Sequence, residues 1–227
     1  MAEMKWDILK FNGKMDYVVR YPKDYREGEK RPVLIYLHGA GGRTDTIPEL
    51  QGNRFFAETV RHENFPFVSI APLCHERSWY DVMETLKELV KHIAASDYAD
   101  PERLYLMGSS MGGYGCWQLA MSMNEWFAAI VPICGGGMYW SAYELVNTPV
   151  WAFHGAKDDT VFPEESEKMV NAINERGGNA KLTIYPENDH DSWVDTYRNP
   201  EVFAWLLSHK NENVHEIVDL FTDSSRY

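Results

Sequence analysis

Ser110 is the residue best placed for covalent chemistry. It lies at the centre of Gly108-Ser109-Ser110-Met111-Gly112, after the apolar run 104–107 and before a stretch, 114–121, of helical character. A Gly-x-Ser-x-Gly sequence between a strand and a helix is typical of a sharp turn that presents the serine hydroxyl as a nucleophile. Side chains two residues to either side would collide in such a turn, which explains the two glycines. Ser109 lacks this glycine frame and is the weaker candidate.

A serine nucleophile needs a general base, and the base needs a carboxylate that fixes its tautomer. Asp158 and Asp159 follow one apolar run, 150–153, and His190 follows the next, 181–185. This is the chain order (serine, acid, histidine) that accompanies this type of turn. We predict His190 as the base and Asp158 as its carboxylate partner, with Asp159 as the alternative acid.

Backbone amides are the expected stabilisers of an oxyanion. Met111 begins the helix after the nucleophile, so its N–H should point at the developing charge. The second predicted donor is Ala40, in the glycine-rich loop 38–42 that follows the apolar run 33–37. Glycines let a backbone amide approach a substrate carbonyl closely.

The same loops allow a zinc site as an alternative. His38, His154 and His190 all follow predicted strands, but the chain has neither an HExxH motif nor a local Cys/His cluster. We therefore expect no metal and no cofactor. His38 and His154, each beside a glycine, are predicted to be buried structural histidines.

These loops require a sheet that brings strand ends together. Short apolar runs alternate with amphipathic stretches, which predicts an α/β fold with a mainly parallel sheet and helices on both faces. Asn12-Gly13 predicts an N-terminal β-hairpin. The segment 134–149 is too short for a large cap domain. We predict one domain over residues 1–210 and a tail, 211–227, that is either docked or disordered and is a candidate oligomer contact.

Composition narrows the partners. The chain has 22 basic and 34 acidic residues, and this formal net charge of -12 disfavours nucleic acid. No run approaches the roughly 20 apolar residues of a membrane span, so no membrane partner is expected. Three cysteines without a CxxC pair favour free thiols in a reducing compartment, and we predict a cytoplasmic protein.

Four pieces of the chain carry a family resemblance. They are Leu37-His-Gly-Ala-Gly, the stretch from Asp100 to Gly115, His154-Gly-Ala-Lys-Asp-Asp-Thr-Val, and His190-Asp-Ser-Trp. The sequence resembles small esterases of the α/β-hydrolase superfamily, close to dienelactone-hydrolase-like, feruloyl-esterase and prolyl-oligopeptidase-related hydrolases. The resemblance implies an α/β-hydrolase fold, and it favours Asp158 over Asp159 because the catalytic Asp of such relatives lies three residues before the Val.

The expected reaction is two-step hydrolysis of a carboxylic ester, a small-molecule substrate, through an acyl-enzyme. Aromatic and Met residues near the predicted loops are candidate substrate-binding groups and favour an aryl or feruloyl-type ester; they are Trp79, Tyr80, Met138, Tyr139, Trp140 and Trp193. The alternatives are a serine peptidase of prolyl-oligopeptidase-like type and a catalytically silent binding protein on a hydrolase scaffold.

Overall fold

One eight-stranded sheet organises the protein. The computed structural model describes residues 5–43, 47–214 and 218. The strand order is β1-β2-β4-β3-β5-β6-β7-β8, antiparallel at β1, β2 and β4 and parallel from β4 onward. The strands are β1 (Trp6–Phe11), β2 (Met15–Arg20), β3 (Arg31–Leu37), β4 (Val68–Pro72), β5 (Ala99–Ser109), β6 (Ala129–Ile133), β7 (Val150–Gly155) and β8 (Ala180–Tyr185). The predicted α/β class with a mainly parallel sheet is confirmed.

The N-terminal hairpin forms as its turn residues predict. Asn12 and Gly13 both have positive φ angles, 47° and 69°, as a type I′ turn requires. The Lys14 N–H donates to the Phe11 carbonyl at 2.8 Å and closes the turn. The hairpin then extends the sheet through the pairing of β2 with β4.

Helices cover both faces of the sheet. The α-helices are α1 (Ile47–Gln51), α2 (Arg54–Thr59), α3 (Met83–Ala94), α4 (Met111–Ser122), α5 (Glu164–Asn174), α6 (Trp193–Arg198) and α7 (Pro200–Leu207), and 3-10 helices span Ala40–Gly42, Trp79–Val82 and Tyr139–Leu145. Helices α3, α4 and α5 pack on one face, and α1, α2, α6 and α7 on the other. Within β3, Ile35 faces the first core and Tyr36 the second, which is the alternation expected of a strand buried on both sides.

Parallel pairing brings the candidate loops to one edge. The carboxyl ends of β3, β5, β7 and β8 are followed by the glycine-rich loop, Ser110, Asp158 and His190 respectively. The segment between β6 and β7 contains only the short helix Tyr139–Leu145, so it forms no large cap. No helix in the described part of the chain is long and apolar enough to cross a membrane.

The start of the tail contacts the body. The Asn211 N–H donates to the Glu102 carbonyl at 2.9 Å, and Val214 and Val218 are buried in the core that contains α3 and α4. Residues 215–217 and 219–227 lie outside the described residues, and the predicted oligomer contact lies largely among them.

Candidate active site

Ser110 occupies a strained turn between β5 and α4. Its φ and ψ are 55° and -118°, a conformation that residues other than glycine rarely adopt. Its N–H donates to the Ile133 carbonyl at 3.0 Å, and its own carbonyl accepts from the Tyr114 N–H at 3.0 Å. The turn is therefore tied to β6 on one side and to α4 on the other, which holds the hydroxyl at the end of the sheet.

The glycines around Ser110 are required by close backbone contacts. A methyl group at Gly108 would overlap the Gly112 carbonyl, and one at Gly112 would overlap the Leu37 carbonyl. The predicted reason for the Gly-x-Ser-x-Gly spacing is confirmed at both positions. The tight turn also brings β3 against the start of α4.

His190 bridges the serine and a buried carboxylate. Its Nε2 lies 2.8 Å from Ser110 Oγ, and its Nδ1 lies 2.8 Å from Asp158 Oδ2. A carboxylate only accepts hydrogen bonds, so Nδ1 carries the proton and Nε2 is free to accept the serine proton. The three residues that the sequence analysis proposed as a triad thus form one continuous hydrogen-bonded chain.

Asp158 is held on both oxygens. Oδ1 accepts from the backbone N–H groups of Thr160 at 3.0 Å and Val161 at 2.9 Å. Oδ2 faces His190 and also His154, whose Nε2 lies 3.2 Å away. Because these contacts come from several directions, the carboxylate has one defined orientation toward His190.

His154 is a second histidine beside this carboxylate. Its buried Nε2 faces two acceptors, the Val161 carbonyl at 2.8 Å and Asp158 Oδ2, so the proton lies on Nε2. Its Nδ1 lies 2.7 Å from Ser166 Oγ, whose hydroxyl also donates to the Gly135 carbonyl at 3.0 Å. Burial lowers the pKa of His154. The predicted buried structural role of His154 is confirmed, with the addition that one of its contacts is Asp158.

The rival residues are placed elsewhere. Ser109 is buried, and its Oγ pairs with the Tyr36 hydroxyl at 3.2 Å instead of facing a base. Asp159 is exposed, and its only side-chain hydrogen bond among the described residues is a 3.5 Å contact from the Thr160 hydroxyl. The geometry therefore favours Ser110 over Ser109 as the nucleophile and Asp158 over Asp159 as the carboxylate partner.

The predicted oxyanion donors flank Ser110. Gly39 lies against it, since a methyl group built on Gly39 would be 3.4 Å from Ser110 Cβ. Ala40 follows in the short helix Ala40–Gly42, and Met111 is the first residue of α4. In the part of the chain that the structure describes, neither the Ala40 nor the Met111 N–H donates to a backbone or side-chain acceptor. Both amides are available to a ligand.

The predicted substrate-binding residues divide into two groups. Four are substantially exposed on the surface: Tyr80, Met138, Tyr139 and Trp140. Met138, Tyr139 and Trp140 follow β6, whose last residue, Ile133, accepts the Ser110 N–H. We call these four residues the aromatic rim.

Trp79 and Trp193 have other positions. The prediction that Trp79 lines the cleft is wrong, because the side chain is fully buried and its Nε1–H donates to the His38 carbonyl at 2.9 Å. Trp193 is partly buried and packs edge-on against His190, with ring centroids 5.2 Å apart. It therefore contacts the proposed base.

One group among the described residues has metal-ligand geometry. Ligand atoms of Cys134, Asp158 and His190 lie within 4.8 Å of one another. Burial raises the pKa of the Cys134 thiol to about 12, and the other two residues, Asp158 and His190, already form the hydrogen-bonded chain to Ser110. The alternative zinc arrangement that the sequence allowed, His38 with His154 and His190, is a different set of residues, and His38 bonds to Gly39 and Cys74.

The sequence analysis overlooked Cys134. It follows β6 with a φ of 40°, and its N–H donates to the Phe153 carbonyl at 2.8 Å. The residue lies beneath the serine turn. A buried cysteine outside any motif gives no sequence signal of this position.

Comparisons with known proteins identify the family and the fold of this chain. The sequence model of the dienelactone hydrolase family matches residues 68–218. The chain is similar to a dipeptidyl-peptidase 5 of Porphyromonas gingivalis, with 22% identity over 90% of this chain and 37% of that protein. It is also similar to hydrolase 4 of Catharanthus roseus, with 28% identity over 83% of this chain and 66% of that one. The chain thus spans between about a third and two thirds of the length of these relatives.

A solved structure shares the fold. The crystal structure of a thermostable esterase superposes with a TM-score of 0.74 and 30% identity, covering 91% of this chain and 63% of that one. The fold of this chain is therefore one already known from an esterase. Because the family match extends over most of the sequence, the chain belongs to the dienelactone hydrolase family within the α/β-hydrolase superfamily.

Proposed function

We propose that this protein is a serine carboxylesterase that hydrolyses carboxylic esters through an acyl-enzyme. The observation that carries the proposal is the unbroken chain of 2.8 Å contacts from Ser110 through His190 to Asp158. A serine oriented toward an imidazole, which is oriented in turn by a carboxylate, is the arrangement that activates a hydroxyl for acyl transfer.

The first half of the reaction forms the acyl-enzyme. Ser110 Oγ attacks the ester carbonyl carbon while its proton passes to His190 Nε2. The carbonyl oxygen takes up the electron pair and accepts hydrogen bonds from the Ala40 and Met111 amides. As the tetrahedral intermediate collapses, the bond to the alcohol oxygen breaks, and His190 returns the proton to the departing alcohol.

The second half releases the acid. Water attacks the acyl carbon and gives a proton to His190, which then protonates Ser110 Oγ as the serine leaves. Asp158 stabilises the imidazolium in both halves and keeps Nδ1 protonated. The proposed steps use only residues of this chain and water.

The aromatic rim supports an aryl or feruloyl-type ester as substrate. Trp140 is 59% exposed and stands edge-to-face with Tyr139, their ring centroids 5.3 Å apart. Exposed Trp and Tyr side chains beside a cleft offer large apolar faces to a flat ligand. The segment between β6 and β7 contains no large cap that would cover these side chains.

A peptidase is the second candidate. It is favoured by the similarity over 90% of the chain to a dipeptidyl-peptidase 5, although the chain covers 37% of that protein. The same triad would act on an amide, but an amine leaving group needs full protonation in the transition state. The two candidates therefore differ in the ratio of ester to amide turnover.

A substrate panel tests the proposal. Wild type, Ser110→Ala and the matched control Ser109→Ala are assayed on p-nitrophenyl acyl esters, feruloyl esters and prolyl peptide amides. We expect ester turnover in wild type and Ser109→Ala and its loss in Ser110→Ala. Turnover of amides above that of esters would favour the peptidase. Ester turnover that persists in Ser110→Ala would overturn the proposed mechanism.

We also propose a cytoplasmic location and a small-molecule substrate. Cys74, Cys116 and Cys134 are all buried free thiols, which supports a reducing compartment. The net charge of -12 continues to argue against a nucleic-acid partner.

A further inference from the structure

We propose that His38 is a positioning residue that aims the Ala40 N–H at the substrate carbonyl. The inference rests on the proposed function, because it concerns the oxyanion site of that reaction. It assigns a task to a buried histidine that the triad does not use.

The protonation state of His38 follows from its two partners. Its Nε2 lies 3.1 Å from the Cys74 backbone N–H, which can only donate, so Nε2 must be the acceptor. The proton of the neutral ring is therefore on Nδ1. Nδ1 lies 2.8 Å from the Gly39 carbonyl oxygen and donates to it.

This hydrogen bond orients a whole peptide unit. The Gly39 carbonyl and the Ala40 N–H belong to the same planar trans peptide, in which they point in opposite directions. Gly39 is packed against the nucleophile turn, with an added methyl group only 3.2 Å from the Ser109 carbonyl and 3.4 Å from Ser110 Cβ. Holding the carbonyl on the His38 side directs the Ala40 N–H away from that ring and leaves it unpaired within the described structure.

The Gly39 carbonyl oxygen accepts a second hydrogen bond. The Gly42 N–H reaches the same Gly39 oxygen at 2.9 Å. Gly42 also lies so close to the imidazole that a methyl group there would be 2.8 Å from His38 Cβ. The loop 39–42 is thus wrapped around the His38 side chain, and both lone pairs of the Gly39 oxygen are used.

Trp79 connects His38 to the nucleophile helix. Besides donating to the His38 carbonyl, its ring lies 5.0 Å from the imidazole, centroid to centroid. Its side chain also packs on α4, where a methyl group at Gly115 would be 2.9 Å from Trp79 Cβ. Ala40 and Met111, the two predicted oxyanion donors, therefore belong to two segments, the loop 38–42 and α4, that both pack against the buried Trp79 side chain.

Three substitutions test the inference. His38→Leu removes the donor, whereas His38→Asn places an amide N–H near the position of Nδ1. His92→Leu is the matched control on an exposed histidine of α3. Each is assayed with p-nitrophenyl acetate and with a trifluoromethyl ketone that forms a tetrahedral adduct.

We expect His38→Leu to lower kcat by about 10- to 100-fold with little change in KM, since loss of a full oxyanion donor costs roughly 10²- to 10³-fold. Binding of the trifluoromethyl ketone should weaken by a similar factor. His38→Asn should recover most of both losses, and His92→Leu should match wild type. Unchanged kcat in His38→Leu, or equal losses in the Leu and Asn variants, would overturn the inference.

A crystal structure of each variant gives a readout that does not depend on turnover. We expect the Gly39–Ala40 peptide to keep its orientation in His38→Asn and to rotate in His38→Leu. If His38→Leu does not fold, Trp79→Phe, which loses the Nε1–H donor to the His38 carbonyl and part of the buried ring, should show a smaller loss of the same kind. A peptide that keeps its orientation in His38→Leu would refute the positioning role, whereas a wild-type protein without ester turnover would refute the proposed function instead.

Discussion

Acidification should destabilise this protein through His38. The side chain is fully buried, and burial, the largest cause, lowers its pKa from 6.5 to about 4. Between pH 6.5 and about 4, His38 is mostly protonated in the unfolded chain and mostly neutral in the folded protein. Stability is therefore complete above about pH 6.5 and is lost as the pH falls toward about 4. From pH 7.5 to 4.5 the loss of stability through His38 amounts to about 2 to 3 kcal/mol, and about half of this loss has occurred by pH 5.5.

The groups around His38 have opposing effects on its pKa, and burial has the largest effect. The hydrogen bond to the Gly39 carbonyl raises it, whereas the charges of Arg43 and His75 lower it. The Cys74 N–H also needs the neutral Nε2 as its acceptor, so protonation would leave that buried amide unpaired. The Cys74 contact thus favours both the low pKa and the proposed tautomer.

Urea unfolding of wild type and His38→Asn at about pH 7.5, 5.5 and 4.5 measures this effect. The variant should be less stable at neutral pH by about 1 to 3 kcal/mol, the cost of disturbing a buried hydrogen-bond network. His154 and all other titrating groups are common to both proteins, so their contributions cancel. The free energy of unfolding of wild type minus that of the variant should fall by about 2 to 3 kcal/mol on acidification, so the variant becomes as stable as wild type or more stable at about pH 4.5. A difference that stays constant across this range would refute the reasoning.

Three further predictions concern the site. Asp158→Asn keeps an acceptor for the Thr160 and Val161 amides but no longer fixes the His190 tautomer. The kcat in a p-nitrophenyl ester assay should therefore fall by about 10³- to 10⁴-fold, while the melting temperature changes little. Gly112→Ala should destabilise the fold by about 1 to 3 kcal/mol in urea unfolding, because the methyl group overlaps the Leu37 carbonyl. Trp140→Ala should raise KM for feruloyl esters about 3- to 30-fold, consistent with the loss of an aromatic contact, while KM for p-nitrophenyl acetate stays unchanged.

Each of these three predictions has a result that would contradict it. For Gly112→Ala the control is Gly41→Ala, where nothing lies within 4 Å of the added methyl group, and equal stability of the two would contradict the packing argument. A near-normal kcat in Asp158→Asn would show that Asp158 is not the residue that orients His190. Equal changes in KM for both esters in Trp140→Ala would show that Trp140 does not recognise the feruloyl group.

The fold was predictable because its signals are local and periodic. Apolar runs such as 33–37 read as buried strands, and Asn12-Gly13 sets its own turn geometry. Asn199 and Pro200 likewise mark the start of α7, where the Asn199 side chain accepts from the Glu201 N–H. Each feature depends on a few neighbouring residues, so the sequence contains the information in one place.

The proposed triad was predictable for a related reason. A parallel sheet gathers the carboxyl ends of its strands, so loop position along the chain translates into proximity in space. The choice between Asp158 and Asp159 needed the resemblance to a family, and the structure then separates them by burial. The contact between His154 and Asp158 forms because the loop after β7 folds back on the end of that strand, and no periodic pattern in the sequence indicates it.

Side-chain direction was the part that could not be predicted. Trp79 and Tyr80 are adjacent aromatic residues in one short helix, yet the first is fully buried and the second is 47% exposed. Which of them faces solvent depends on how the helix packs on α4, a contact between distant segments. The same limit concealed the contacts of His38 with Gly39 and Cys74.

Covalent labelling tests the central claim most directly. A fluorophosphonate should react with the activated serine, forming one phosphorus–oxygen bond with loss of fluoride, and intact mass followed by peptide mapping locates the adduct. We predict a single adduct on Ser110 in wild type and Ser109→Ala, none in Ser110→Ala, and greatly slowed labelling in His190→Ala. An adduct on another residue, or labelling of Ser110 at an undiminished rate without His190, would contradict the account.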